Sequence, residues 1–193
     1  SEQAEHQNIL KDLTKEIEKA YGNTYLFKLG NNWQATIEGM PAWNIEKTIN
    51  QKQFYQQWVA PYIKKENRVF VIISDALRYE SAAELRELIL QEDRYTATLN
   101  AVLGSLPSYT QLGMASLLPH TTLTFEEQSD IVYADGNSTQ GTPNRTKVLQ
   151  KSYAGSVAIG AEDFLKMKSN TEGREFIKPY NVIYIYSNHI DKI

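Results

Sequence analysis

The sequence contains no cysteine. That excludes a disulfide framework and any thiolate zinc centre, so a bound metal has to be held by carboxylates and imidazoles. Imidazoles are scarce too, with His6, His120 and His189 the three histidines among 193 residues. No apolar run approaches the roughly 20 residues that a membrane-spanning helix needs, and residues 1–20 lack the charged-then-apolar layout of a signal peptide. A strong charge of either sign is also missing. The net charge of −3 gives no electrostatic footprint for DNA over the whole chain. The basic groups Lys64, Lys65 and Arg68, or Lys147 and Lys151, read as ordinary solvated faces. No Walker-type lysine motif and no Gly-x-Gly-x-x-Gly turn follows any strand-like run. What remains, 41% hydrophobic, is enough for one good core and a small appendage. The expectation is a cytoplasmic domain with no membrane contact.

The most informative stretch is Arg68 to Asp75. Val69 to Ile73 is an unbroken β-branched and aromatic run, the habit of a strand buried on both faces in a parallel sheet. It stops at Ser74 and Asp75, and a helical pattern follows with Leu77, Leu85, Leu88 and Ile89 on one face. A carboxylate at the C-terminal end of a central strand sits where open α/β sheets gather ligands. Asp is also among the best helix N-caps, so Asp75 is either a cap or a ligand.

A second segment, Gly104 to Gly113, packs Ser105, Ser108 and Thr110 around Pro107, between a strand-like run at 95–103 and an apolar helical stretch closed by Pro119. A hydroxyl at a helix N-terminus lies beside unpaired N–H groups, a setting suited to phosphate binding and to an activated alkoxide. Capping by Ser108 is the plain alternative. Further runs at 155–159 and 182–187 complete a strand–helix alternation. The fold class it argues is α/β, a mostly parallel sheet with flanking helices, preceded by a helical segment.

Together, VFVIISDALRYE (69–80) and LPSYTQLGMASLLPH (106–120) resemble the signature blocks of the PglZ domain of BREX phage-defence systems, within the alkaline phosphatase superfamily. The likeness extends over residues 50–193, through Asp135 to Gly141, Arg145, Ala161 to Leu165 and Tyr184-Ile185-Tyr186. The resemblance implies a bacterial, metal-dependent hydrolase of phosphate mono- or diesters with an alkaline-phosphatase-like core. It makes Asp75 a ligand of a divalent metal, zinc in most relatives, and Thr110 the nucleophile and a further ligand, with Ser108 and Ser105 as weaker candidates. Asp191 matches a ligand of the other metal. His189 is a further candidate, because the family places histidine one residue after the tyrosine and this chain has Ser187 there. Arg145 is a candidate substrate contact. The implied partners are other proteins of the defence system, with a nucleic acid or nucleotide as a possible substrate. The superfamily's later Asp-His block does not occur in these 193 residues, so the expectation is a fragment truncated at the C-terminus, holding half an active site and inactive alone. A scaffolding module with a non-catalytic phosphatase fold is the alternative. A response-regulator-like domain with a similar strand-end Asp has less to support it.

The first third reads as a separate unit, giving an expected division of 1–65 and 66–193. Ile9, Leu10, Leu13 and Ile17 fall on one helical face, and Gly22-Asn23 is expected to end that helix. Residues 24–43 read as irregular, with a turn at Gly39-Met40-Pro41. Lys47 to Lys65 reads as a helix bent near Pro61. Trp33, Trp43 and Trp58 are expected to dock these helices on the sheet. The polar stretch 135–144 reads as a surface loop or a substrate lid.

Overall fold

The computed structural model describes residues 2–190, and side chains from residue 10 onward. The chain divides into two compact units, residues 1–43 and 44–193.

The first unit is helical: α1 (Glu2–Ala20), a π-helical stretch Tyr21–Leu26, and α2 (Phe27–Glu38). Gly22 does not end the first helix, and the segment expected to be irregular is mostly helix. The cause is the run of large side chains that continues past the glycine: Tyr21 stacks on Tyr25 at 5.5 Å, and Trp33 meets Trp43 edge-on at 6.1 Å. Glycine costs a helix only about 1 kcal/mol, and i,i+4 pairs such as Tyr21–Tyr25 offset part of that. The helix does stop at Glu38, ahead of Gly39, whose N–H returns to the Ala35 carbonyl. None of the side chains from 10 to 43 is buried.

In the second unit β1 (Ile49–Asn50) leads into a helical run over 51–63 that is 3₁₀ at Gln51–Gln53, π at Tyr55–Val59 and α at its end, α3 (Ala60–Ile63). Then come β2 (Val69–Ser74), α4 (Tyr79–Leu90), β3 (Val102–Leu103), α5 (Thr110–Ser116), β4 (Leu123–Phe125), β5 (Val132–Ala134) and β6 (Asn137–Ser138). The chain continues through α6 (Gly141–Ser152), β7 (Ser156–Gly160), α7 (Ala161–Lys166), α8 (Glu172–Ile177) and β8 (Val182–Ser187).

The main sheet is fully parallel in the order β2-β8-β7, with Ser74 level with Ser187 and Gly160 level with Tyr186. This is the mixed α/β architecture, parallel sheet flanked by helices, that the strand–helix alternation implies. β8 is central and buried from Val182 to Tyr186. Its alternation builds two cores. Tyr184 and Tyr186 share a face with Val71 and Ala158, covered by Tyr55, Val59, Leu118, Val148 and Leu149. Ile183 and Ile185 face the other way with Val157, against Phe164, Phe176 and Tyr180. On that second face β2 is bare, Phe70 being 45% and Ile72 70% exposed. α4 buries none of its residues.

Several expectations are corrected. The run 95–103 is not a strand of this sheet. Only Val102–Leu103 pairs, in parallel with Ile49–Asn50, while Tyr95 is 60% exposed. High β-propensity makes no strand where no buried face receives it. The core contact expected of the tryptophans falls to Tyr55 and Val59, and none of the three tryptophans is buried. The helical run 51–63 thus belongs with the sheet, although the sequence division sets it with the first segment.

The polar stretch 135–144 is neither plain loop nor lid. Asp135 and Gly136, both at positive φ (46° and 77°), make a two-residue turn joining β5 to β6 in an antiparallel sheet ordered β4-β5-β6. Type I′ geometry requires positive φ at both positions, and Asp-Gly supplies it at little strain. Thr139 is buried and donates to the Val132 carbonyl at 2.8 Å, and α6 begins at Gly141.

The Asp135 carboxylate accepts from the N–H groups of Thr121 and Thr122 and from the Thr122 hydroxyl. The Thr122 and Thr121 N–H bonds hold its pKa below the usual carboxylate value. A depressed folded-state pKa contributes stability above the unfolded value of about 3.9, lost as pH falls through the folded one. Urea unfolding is therefore expected to find Asp135→Asn less stable than wild type at pH 6, with the gap closing as pH falls below about 4. A gap independent of pH contradicts this.

Candidate active site

Because all three strands of the main sheet run parallel, their C-terminal tips share one edge. Asp75 extends β2 there, its N–H donating to the Ser187 carbonyl at 2.9 Å. Its carboxylate is half-buried and accepts from the Ala76 N–H at 3.1 Å. α4 starts four residues later with Arg78 at its N-cap position. Asp75 is therefore not the cap of α4. Ala76 is held at φ 60°, a left-handed conformation that costs a residue with a Cβ about 1 kcal/mol or more.

Beyond β8, Asn188 and His189 are exposed, and the His189 N–H reaches the Ser187 hydroxyl at 3.5 Å. A cleft of ≈ 200 Å³ opens between Gly160–Asp163 on one side and Tyr186–His189 on the other. Glu162 and Asp163 in this cleft were not singled out as site residues from sequence. The signal available was their position directly after the strand run at 155–159. Asp191 lies outside the described residues.

The hydroxyl segment is held from the helical run 51–63. Gln51 accepts the Ser105 N–H at 3.2 Å and donates to the Gly113 carbonyl at 3.3 Å. Of the three hydroxyl candidates, Ser105 is buried and pairs with the Ser116 hydroxyl at 2.8 Å, while Ser116 donates to the Leu112 carbonyl. Ser108 and Thr110 are exposed. Thr110 is the first helical residue of α5, behind Tyr109 at the N-cap position. Ser108 is therefore not the cap of α5. The Tyr184 hydroxyl donates to the Leu117 carbonyl at 2.9 Å, tying the end of α5 to the middle of β8. Burial pushes the Tyr184 pKa well up.

Arg145, the candidate substrate contact, is 8% exposed on α6. Its Nε donates to the Thr139 carbonyl at 2.9 Å and its guanidinium lies over the Tyr186 ring, 4.2 Å from the centroid. A second cleft of ≈ 230 Å³ contains His120, Asp135 and Lys151, each already engaged in a hydrogen bond. His120 Nδ1 pairs with the Leu118 carbonyl and Lys151 donates to Asn137.

Residues 54–193 match the family described as the BREX system PglZ alkaline phosphatase-like domain. The chain belongs to this family. It is 51% identical over 189 residues to the alkaline phosphatase-like protein BrxZ of Escherichia coli O9:H4 (strain HS), an alignment covering 95% of this chain and 22% of that protein. It is 39% identical over 192 residues to the alkaline phosphatase-like protein PglZ of Bacillus cereus (strain H3081.97), covering 98% of this chain and 22% of that protein. The chain thus spans about a fifth of the length of these curated relatives. No solved structure matches it. No described helix is long and apolar enough to cross a membrane.

A divalent metal is the cofactor that alkaline phosphatase-like proteins generally use. Among the described residues no three His, Asp or Glu side chains converge closely enough to hold one. Asp75 and His189 bring one carboxylate and one imidazole to the same edge. That is a partial donor set, short of the three or four protein ligands usual for zinc.

The hydroxyl contacts separate structural from available groups. Ser105→Ala is expected to lower unfolding stability by about 1 kcal/mol through its lost buried hydrogen bond. Ser108→Ala, at an exposed position, is expected to stay within about 0.5 kcal/mol of wild type. Urea denaturation of the two variants checks this, and equal effects contradict the assignment.

Proposed function

We propose that this PglZ domain contributes the nucleophile and a metal ligand to the hydrolysis of a phosphate mono- or diester. The observation that carries the reading is the sheet edge, where Asp75 and the segment after β8 end side by side in a domain of an alkaline phosphatase-like family. Thr110 supports it as the nucleophile, being exposed at the first residue of α5 with no side-chain capping bond in that helix. Ser105 is less suited because its hydroxyl is already engaged in the interior.

In this reading the Thr110 hydroxyl loses its proton and its oxygen attacks phosphorus. The ester oxygen leaves and takes up a proton as the alcohol. Water later releases phosphate (from a diester, the remaining monoester) and restores the threonine hydroxyl. Asp75, Asp191 and the Thr110 oxygen, with His189 as a further candidate, serve as metal ligands together with donors elsewhere in a polypeptide of the relatives' length. When bound, a divalent metal, zinc in the proposed site, lowers the pKa of the attacking hydroxyl and neutralises phosphoryl charge. The peptide N–H groups at the start of α5 favour an anion near Thr110. We place the activity in the cytoplasm, within a phage-defence assembly whose other proteins are its partners. A nucleic acid or nucleotide is the proposed source of the ester.

The test uses a polypeptide of the relatives' full length, assayed on an aryl phosphate and an aryl phosphodiester with added zinc. Thr110→Ala is expected to lower kcat by at least about 1000-fold, the scale on which deletion of a nucleophile acts. Asp75→Ala is expected to do the same and to weaken zinc binding. The 193-residue chain alone is expected to turn over negligibly. Full activity of Thr110→Ala overturns the nucleophile assignment, and robust turnover by the 193-residue chain overturns the need for further donors.

A further inference from the structure

The Tyr186 hydroxyl is buried and has no hydrogen-bond partner among the described residues. Tyr186 as a whole is 6% exposed, at the penultimate position of β8, level with Ile73 and Gly160. A buried hydroxyl without a partner costs about 1–3 kcal/mol, and phenylalanine would fill the same ring site without that cost. Native interiors pair nearly all such groups, and an exception calls for a ligand or a function.

Its neighbour has the matching deficiency. Arg145 is a buried cation whose hydrogen bond to the Thr139 carbonyl uses Nε. Among the described residues it has no carboxylate partner, the ion pairs there being Arg86–Glu87, Lys166–Asp163 and Lys178–Glu175. Burying a cation without an anion is costly, and the π-face of Tyr186 at 4.2 Å recovers only part of that cost. Burial pushes the phenol pKa up, and the Arg145 guanidinium opposes this through its charge and its closeness to the hydroxyl, although the contact falls short of a well-formed hydrogen bond.

Both groups lie on the face of the sheet that α6 covers, toward the C-terminal edge. Phe164 of α7 packs on the opposite face, against Ile183 and Ile185, while Glu162 and Asp163 in its first turn border the same cleft as Tyr186. The pair combines a cation and a hydroxyl donor.

We propose that Arg145 and Tyr186 form a built oxyanion receptor, in which the guanidinium and the Tyr186 hydroxyl donate to one oxygen of a phosphoryl group. The naming of phosphate rests on the phosphate-ester reading above, whereas the need for an anion rests on the two unmatched groups. Arg145 keeps 8% of its surface open, so the proposed contact is with an edge of the phosphoryl group rather than with a whole substrate. The receptor thus orients the phosphoryl group without gripping the leaving group, which fits a site indifferent to the alcohol it releases.

The experiment needs neither metal nor turnover. Thermal unfolding of the 193-residue chain is followed with inorganic phosphate, and with acetate or chloride at equal ionic strength. Phosphate at tenfold excess over its dissociation constant is expected to raise the Tm by about 3–5 °C, and acetate and chloride are expected to leave it unchanged. Tyr186→Phe is expected to fold with an unchanged or higher Tm in chloride and to bind phosphate at least about 10-fold more weakly. Arg145→Lys keeps the charge but loses the planar fork, and is expected to weaken binding likewise. Thr110→Ala is expected to keep the phosphate response while the full-length polypeptide loses turnover, so the two readings fail separately. An equal phosphate response in wild type and Tyr186→Phe overturns the receptor. So does no response in wild type, or an equal response to acetate.

Discussion

The parallel pairing of β8 between β2 and β7 is the constraint on which the rest of the second unit depends. In a parallel sheet the strands cannot be joined by tight turns, so each connection runs through helices that return the chain to the same end. The C-terminal tips of β2, β7 and β8 then share one edge whatever the connections contain. Five consecutive buried residues on β8, two tyrosines among them, make this strand the most expensive to displace, at roughly 1.5–3 kcal/mol for each large side chain removed from water. Asp75 and the segment after Ser187 are neighbours for that reason, and their short separation in space owes nothing to sequence proximity.

The two faces of the sheet do different work. On the Tyr184–Tyr186 face the polar contacts reach outward to the elements carrying candidate chemistry: Tyr184 to the end of α5, Arg145 of α6 onto Tyr186. Gln51, on the helical run preceding β2, holds both ends of the hydroxyl segment from outside. The Ile183–Ile185 face is a dry contact with the aromatic side chains of α7, α8 and the residues after them, and it leaves Phe70 and Ile72 of β2 uncovered. One face therefore positions and the other supports.

Much of this was legible in the sequence where a single physical rule acted alone. Unbroken β-branched and aromatic runs gave β2 and β8, and the short apolar run Val157–Ile159 gave β7, each within a residue or so, because burial on both faces leaves no room for polar alternation. The same rule misread 95–103, whose composition suits a strand but whose neighbours supply no second face. The Asp-Gly turn at 135–136 was readable in principle, since Asp-Gly between short β-prone runs is a strong hairpin signal. The length of the polar stretch obscured it. Asp75 and Thr110 stood out because strand-end carboxylates and helix-start hydroxyls carry chemistry in many folds. Tyr186 and Gln51 did not, because an unmatched hydroxyl or a clamping amide exists only once the chain has folded around it.

The central proposal is that one edge of the parallel sheet gathers groups that bind a metal in this domain. Paramagnetic broadening of backbone amide signals by substoichiometric Mn²⁺, in the 193-residue chain, tests it directly, because the method registers weak binding and locates it. The account predicts selective broadening at Asp75, Ala76, Thr110 and residues 187–191, abolished by Asp75→Ala. Broadening centred elsewhere, or unchanged in Asp75→Ala, would contradict it.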